Sequence, residues 1–171
     1  MKRRVVDLAR ENSRGIEALK EGGVTAVFAD AVRVDLADCA LLFISGVIGT
    51  DETGRVVGPT MREQTRQVLE KIKAVLEREG GRFDDVVRVR VYVTHLDPPT
   101  LRDIHDVRSH YFTKGNYPAS SLVRVAELIA GALIEIDADA VISTRRPRAR
   151  SPQRTKAPAS GRGRGGRPST R

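Results

Sequence analysis

Tryptophan is absent from this chain, and its aromatics are four phenylalanines and three tyrosines, so any core must be built from Val, Leu, Ile and Ala. A single cysteine, Cys39, excludes an internal disulfide and agrees with a reducing compartment. No run approaches the ~18 consecutive apolar residues of a membrane span. The start, Met1–Arg4, is basic like a signal peptide, but Asp7 follows Val5-Val6 and no apolar run develops. A cytoplasmic protein is expected. Acid is missing altogether from residues 145–171, which hold nine arginines and Lys156. The net charge of +8 over 171 residues therefore sits in this stretch: without it, 20 basic residues face 22 acidic ones.

That stretch is rich in Pro, Gly and Ser and has almost no apolar residues to repay the entropy of ordering, so disorder is expected there. Its Gly161–Arg167 alternation resembles arginine-glycine segments that meet RNA or DNA phosphates without sequence choice. A solvated appendage is the other reading. The organisation expected is an N-terminal extension over 1–23, one domain over 24–144, and the basic tail over 145–171.

Within the extension, Val5, Leu8, Ile16 and Leu19 predict a short amphipathic helix ended by Gly22-Gly23. Strands are expected over Val24–Val34, Ala40–Ser45 and, after a turn at Asp51–Gly54, Arg55–Gly58. Thr60 and Glu63 have capping-box spacing, and Gly80-Gly81 supplies a stop. The helix between them carries one apolar stripe: Met61, Thr65, Val68, Leu69, Ile72, Val75 and Leu76. Val86–His95 alternates with period two. Pro98-Pro99 reads as a break before a helix over Leu101–Phe112, N-capped by Thr100. Strands Ser120–Leu128 and Ala132–Ile142 complete a βββαβαββ order, an α+β fold with one sheet and both helices on one face. Arg88, Arg90, Tyr92, Ser120, Leu122, Arg124, Glu135 and Asp137 are expected together on the other face, as cross-strand ion pairs, an oligomer interface or a ligand cleft. Arg124 is expected to pair with an acid on the next strand.

Several strings in this order resemble one family: Phe43-Ile44-Ser45-Gly46-Val47-Ile48, Glu63-Gln64-Thr65-Arg66-Gln67-Val68-Leu69, Asp84-Asp85-Val86-Val87, Tyr117-Pro118-Ala119-Ser120-Ser121 and Ile134-Glu135-Ile136-Asp137-Ala138. Over about residues 28–142 the chain is similar to the reactive intermediate deaminase (Rid, YjgF-type) family. The resemblance implies a chorismate-mutase-like fold and a homotrimer whose open sheet faces form a barrel, with small-molecule clefts between subunits. It also implies hydrolysis of enamines and imines to carbonyl compounds and ammonia. That chemistry needs a cation for the substrate carboxylate, a group positioning water, and donors for the tetrahedral intermediate.

By the same resemblance, Glu135 is the water-positioning glutamate, and Ser45 and Gly46 line the cleft floor. His105 stands where many members carry Asn, and Ser120, followed by Ser121, stands where the family carries its carboxylate-binding arginine. The family's Gly-Pro-Tyr motif is also missing, with Asp30-Ala31-Val32 in that region. Altered substrate choice follows as an expectation, as does the alternative of a ligand-binding trimer without catalysis. Each residue also has a plainer reading. Glu135 could pair with a neighbouring arginine, His105 could be a core histidine, and Cys39 reads as packing. No cofactor or metal is expected, since His105 and His110, five apart, fall on different helix faces. No Ser-His-acid arrangement is recognisable around Ser45, Ser120 or Ser121.

Overall fold

In a computed structural model, residues 1–7, 19 and 21–144 are described. They form strands β1 (Lys2–Val6), β2 (Ala31–Asp35) and β3 (Cys39–Ile48), helix α1 (Met61–Arg78), β4 (Val86–Val93), helix α2 (Pro98–Arg108), β5 (Ala119–Arg124) and β6 (Ile134–Ser143). One six-stranded sheet has the order β1-β2-β3-β6-β4-β5. Only the β4–β5 pair is parallel, as expected where α2 makes the crossover between them.

The order βββαβαββ is the one predicted, and β2 and β3 overlap the expected Val24–Val34 and Ala40–Ser45 runs. Lys2–Val6, however, supplies a first strand that was not expected, and the third expected strand, Arg55–Gly58, does not form. Residues 2–6, assigned by sequence to an extension ahead of the domain, pair with β2 from Lys2↔Asp35 to Val6↔Ala31. Val5 thus lies in a strand rather than a helix, and residues 8–18 of that expected helix lie outside the described residues. The tail, residues 145–171, lies outside them too. The Val24–Val34 run enters the sheet only at Ala31, where β1 and β3 supply partners on both sides. Arg55–Gly58 is not a strand. Its turn forms around the Asp51 carboxylate, which accepts from Thr53 and Arg55. Pairing then stops at a single Thr50↔Val56 bridge, because Gly58 turns left-handed (φ 62°) ahead of Pro59.

Helix α1 begins as its sequence dictates. Thr60 Oγ1 accepts from the Glu63 N–H (3.3 Å) while the Glu63 carboxylate accepts from the Thr60 N–H (3.2 Å), a closed capping box. Every residue of its predicted stripe is buried against the sheet. Helix α2 starts earlier than expected. Asp97, not Thr100, is the N-cap, its carboxylate accepting from the Thr100 N–H at 2.8 Å. Pro98 and Pro99 fill the first turn, where no N–H is required, so they open the helix instead of breaking it.

The core lies between these helices and one sheet face. Leu42, Val89, Val91, Val93, Ile134 and Ile136 meet Val68, Leu69, Ile72, Leu76 and Ile104. Ile136, 1% exposed, sits in β6, between β3 and β4 in the middle of the sheet. Ile136→Ala should lower the unfolding free energy by about 2–5 kcal/mol in a urea titration, and a loss below about 1 kcal/mol would contradict this packing. Neither α1 nor α2 covers the opposite face. Phe43, Val123 and Val141 are exposed there, beside Arg90, which pairs with Asp137 and Asp139 as cross-strand neighbours.

Candidate active site

On the open face β3 departs from regular pairing. Ile44 faces Ala138 and Val47 faces Ile136, so three steps along β3 span two along β6, and Ser45-Gly46 form a bulge. Glu135 lies next along β6, opposite Ile48 on one side and Tyr92 on the other. Its side chain folds over the bulge. A methyl group on Gly46 would overlap the Glu135 Oε1 and lie 2.9 Å from Cδ, so the absent side chain makes room for the carboxylate. Ser45 fixes the bulge to the preceding loop: its hydroxyl donates to the Ala29 carbonyl (2.6 Å) and its N–H to the Asp30 carbonyl (2.9 Å).

Together with Phe28, Phe43 and Arg90, these residues line a cleft of about 700 Å³. Arg90 does not pair with Glu135. Its guanidinium is held by Asp137 and by Asp139 at 2.9 Å, and the Tyr92 hydroxyl donates to Asp137 as well. No described residue hydrogen-bonds to the Glu135 carboxylate, so it is not the structural ion-pair partner that sequence allowed. Burial first, and then the negative charge of Asp137, raise its pKa above the ordinary glutamate value.

A second cleft, about 330 Å³, lies between the end of α2 and the edge strand β5. It contains His105, Arg108, Phe112, Tyr117 and Ser120. His105 is exposed on α2 and is not a core histidine. Ser120 is displaced from its predicted face. It registers with Val89, whose side chain is in the core, and its hydroxyl is reached by Arg108 from the helix. Leu122 likewise packs toward the core, while Ser121 registers with Arg90 of the open face and is exposed. Arg124 has no acid on the next strand. β5 is the sheet edge, and Arg124 Nε donates to the Thr94 carbonyl at 3.2 Å.

The predicted residues thus fall into two groups, Ser45, Gly46 and Glu135 in one cleft, His105 and Ser120 in the other. The two clefts share no lining residue. Arg108 was not anticipated from sequence. Ile104, Arg108 and Phe112 recur at intervals of four and all three are buried, and that spacing was the available signal. Among the described residues no group of three or more His, Cys, Asp or Glu could hold a metal ion, and Cys39 is a half-buried free thiol.

The sequence model of the family described as Endoribonuclease L-PSP matches residues 24–142. The human protein named 2-iminobutanoate/2-iminopropanoate deaminase is 31% identical over 129 residues, 75% of this chain and 89% of that one. This chain belongs to the Rid (YjgF-type) family. A RutC family protein of Pyrococcus abyssi is 40% identical over 98 residues, 57% of this chain and 75% of its own length. Among solved structures, a member of the YjgF/YER057c/UK114 family from Mycobacterium tuberculosis superposes with a TM-score of 0.61 at 31% identity, covering 82% of this chain and all of that one. A Rid-family protein from Yersinia pestis reaches a TM-score of 0.67 at 27% identity, again over 82% of this chain and 100% of the other. The Rid sheet with two helices on one face is therefore this chain's fold. No helix among the described residues is long and apolar enough to cross a membrane.

Proposed function

We propose that this Rid protein is an imine deaminase, hydrolysing a reactive enamine or imine to a carbonyl compound and ammonia. The observation that carries this is Glu135, a carboxylate with no hydrogen-bond partner among the described residues, held over Gly46 in a cleft and with its pKa raised. Acting on the protonated imine, such a group accepts a proton from water as the water oxygen bonds to carbon and the C=N π pair moves to nitrogen, giving a neutral carbinolamine. It then returns that proton to nitrogen as the C–N bond breaks, and the hydroxyl proton passes to the released ammonia as the carbonyl forms. A raised pKa brings donor and acceptor forms closer in population near neutral pH than an ordinary glutamate allows. The name of the human relative, for 2-iminobutanoate and 2-iminopropanoate, supports this substrate class.

The functional unit is a homotrimer in this reading. Exposed Phe43, Val123 and Val141 leave the open face with apolar surface to cover, and a neighbouring copy seated there brings a second cleft toward Glu135. Ser45, Gly46 and Glu135 then form the hydrolytic side, while His105 and Ser120 form the substrate-recognising side and Ser121, on the open face, lies toward the neighbouring copy. Ser120, in the position of the family's arginine, gives this chain a ranking among imine substrates different from that of members that retain the arginine. The protein works in the cytoplasm without a cofactor.

The test is release of ammonia from imines generated in situ, a panel of 2-imino acids beside neutral imines, with light scattering of the same sample. Three chains per particle and acceleration of at least one imine are expected. Binding without acceleration of any imine would instead favour the ligand-binding trimer. The acid-free charge of residues 145–171 favours weak, salt-sensitive nucleic-acid association as an additional property. Truncation at Thr144 should abolish that binding, and equal binding by both forms would refute it.

A further inference from the structure

Several arginines of the sheet and of α1 are engaged by acids. Arg4 and Arg33 meet Glu79, Arg62 meets Asp103 and Asp106, and Arg90 meets Asp137 and Asp139. Arg108 breaks this pattern. It is the buried arginine of the described residues, 9% exposed, yet no described carboxylate pairs with it. Its guanidinium carbon lies over the Phe112 ring, 5.5 Å from the centroid, within cation–π range. One N–H donates to Ser120 Oγ at 3.3 Å, and no other hydrogen bond from the guanidinium is made within the described residues. Burial alone lowers its pKa, with no opposing carboxylate to restore it. A buried cation without a counter-ion is costly unless a ligand supplies one.

The surroundings fit such a ligand. Arg108 lines the 330 Å³ cleft, whose other walls include His105, Phe112, Tyr117 and Ser120. A guanidinium has five N–H donors in a plane, and only one of Arg108's is used. Ser120 accepts that one, which leaves its own O–H free to donate. Arg108 therefore presents only donors to the cavity, in a planar fork that matches a carboxylate, beside hydroxyls that can also donate and an aromatic wall for an apolar substituent.

We infer that Arg108, reaching from α2 to Ser120, is the carboxylate-binding residue of this cleft, with a small 2-imino or 2-oxo acid as its ligand. The assignment rests on the imine-deaminase reading for the identity of the acid, but not for the anion itself. It places the cation on the helix, at the strand position Ser120 leaves open. A guanidinium added at position 120 would crowd the one already there.

The test is titration calorimetry of the full chain with 2-oxobutanoate, with butanone and inorganic phosphate as controls. Imine turnover is measured separately. Wild type is expected to bind 2-oxobutanoate and not butanone. Arg108→Gln should weaken binding by about 100-fold, as loss of two charge-assisted hydrogen bonds implies. Arg108→Lys, which keeps the charge but loses the fork and serves if the glutamine variant does not fold, should weaken it about tenfold. Arg108→Gln combined with Ser120→Arg should restore binding to within about tenfold, a rescue that a merely structural arginine would not permit. Unchanged affinity in Arg108→Lys or Arg108→Gln overturns the assignment, as does failure of wild type to bind 2-oxobutanoate or a preference for phosphate. Arginine-dependent binding without imine turnover leaves the assignment standing and removes the hydrolase reading. Turnover that is insensitive to Arg108→Gln does the reverse.

Discussion

Glu135→Gln is expected to lower imine hydrolysis by about 10²–10⁴-fold, the range for loss of a general acid–base. The substitution keeps the size and shape of the side chain above Gly46 but cannot accept a proton from water. Its effect on stability should run the other way. The folded-state pKa of Glu135 is raised by burial and by Asp137. Between the ordinary glutamate value and that raised value, the folded protein holds a proton the unfolded chain has released, so stability falls as pH rises through the window. Above it the penalty is fully present. Glutamine removes the penalty, so the variant should unfold at a higher temperature than wild type near neutral pH. The gap should close as pH falls below the ordinary carboxylate range, where Glu135 is protonated in both states. A variant less stable at neutral pH than at acid pH, relative to wild type, would mean that the carboxylate is held by a favourable partner.

Gly46→Ala should be nearly as damaging to turnover while leaving Glu135 chemically intact. Its Cβ would occupy the space of the carboxylate, and Glu135 would have to swing off the bulge. A shift of about 1 Å in a catalytic group costs about 100-fold in rate, and that is the loss expected in kcat. Gly46 itself is exposed, so the cost to folding should stay near the low end of about 1–3 kcal/mol for overpacking. Activity within threefold of wild type would show that Glu135 does not act from its place over the bulge.

The parts of this fold that could be read in advance are those where one local rule acts alone. Helix α1 has its capping box, its apolar row and its glycine stop, and each agrees with the others. The Arg90 pairs follow from period-two alternation in β4 and β6. β1 escaped because Lys2-Arg3-Arg4 carries the charge of a protected sheet edge rather than the apolar pattern of a strand. β5 was read one residue out of phase because Ser120, Ser121, Leu122, Val123 and Arg124 offer no clean alternation, and an edge strand does not impose one.

That slip of one residue matters for the site. With Ser120 on the open face, no replacement cation is within reach. On the helix side it meets Arg108. The division into two clefts was equally hidden, since no sequence rule states whether residues of β3, β6, α2 and β5 converge within one chain or between copies.

The most direct test is the decay of 2-iminobutanoate, generated in situ and followed by absorbance at fixed pH. Buffer alone, wild-type protein and Glu135→Gln would be compared at equal concentration. Faster decay with wild type, and decay at the buffer rate with the variant, is the predicted result. Equal acceleration by both proteins would contradict the role of Glu135, and no acceleration by wild type would contradict imine deamination of this substrate.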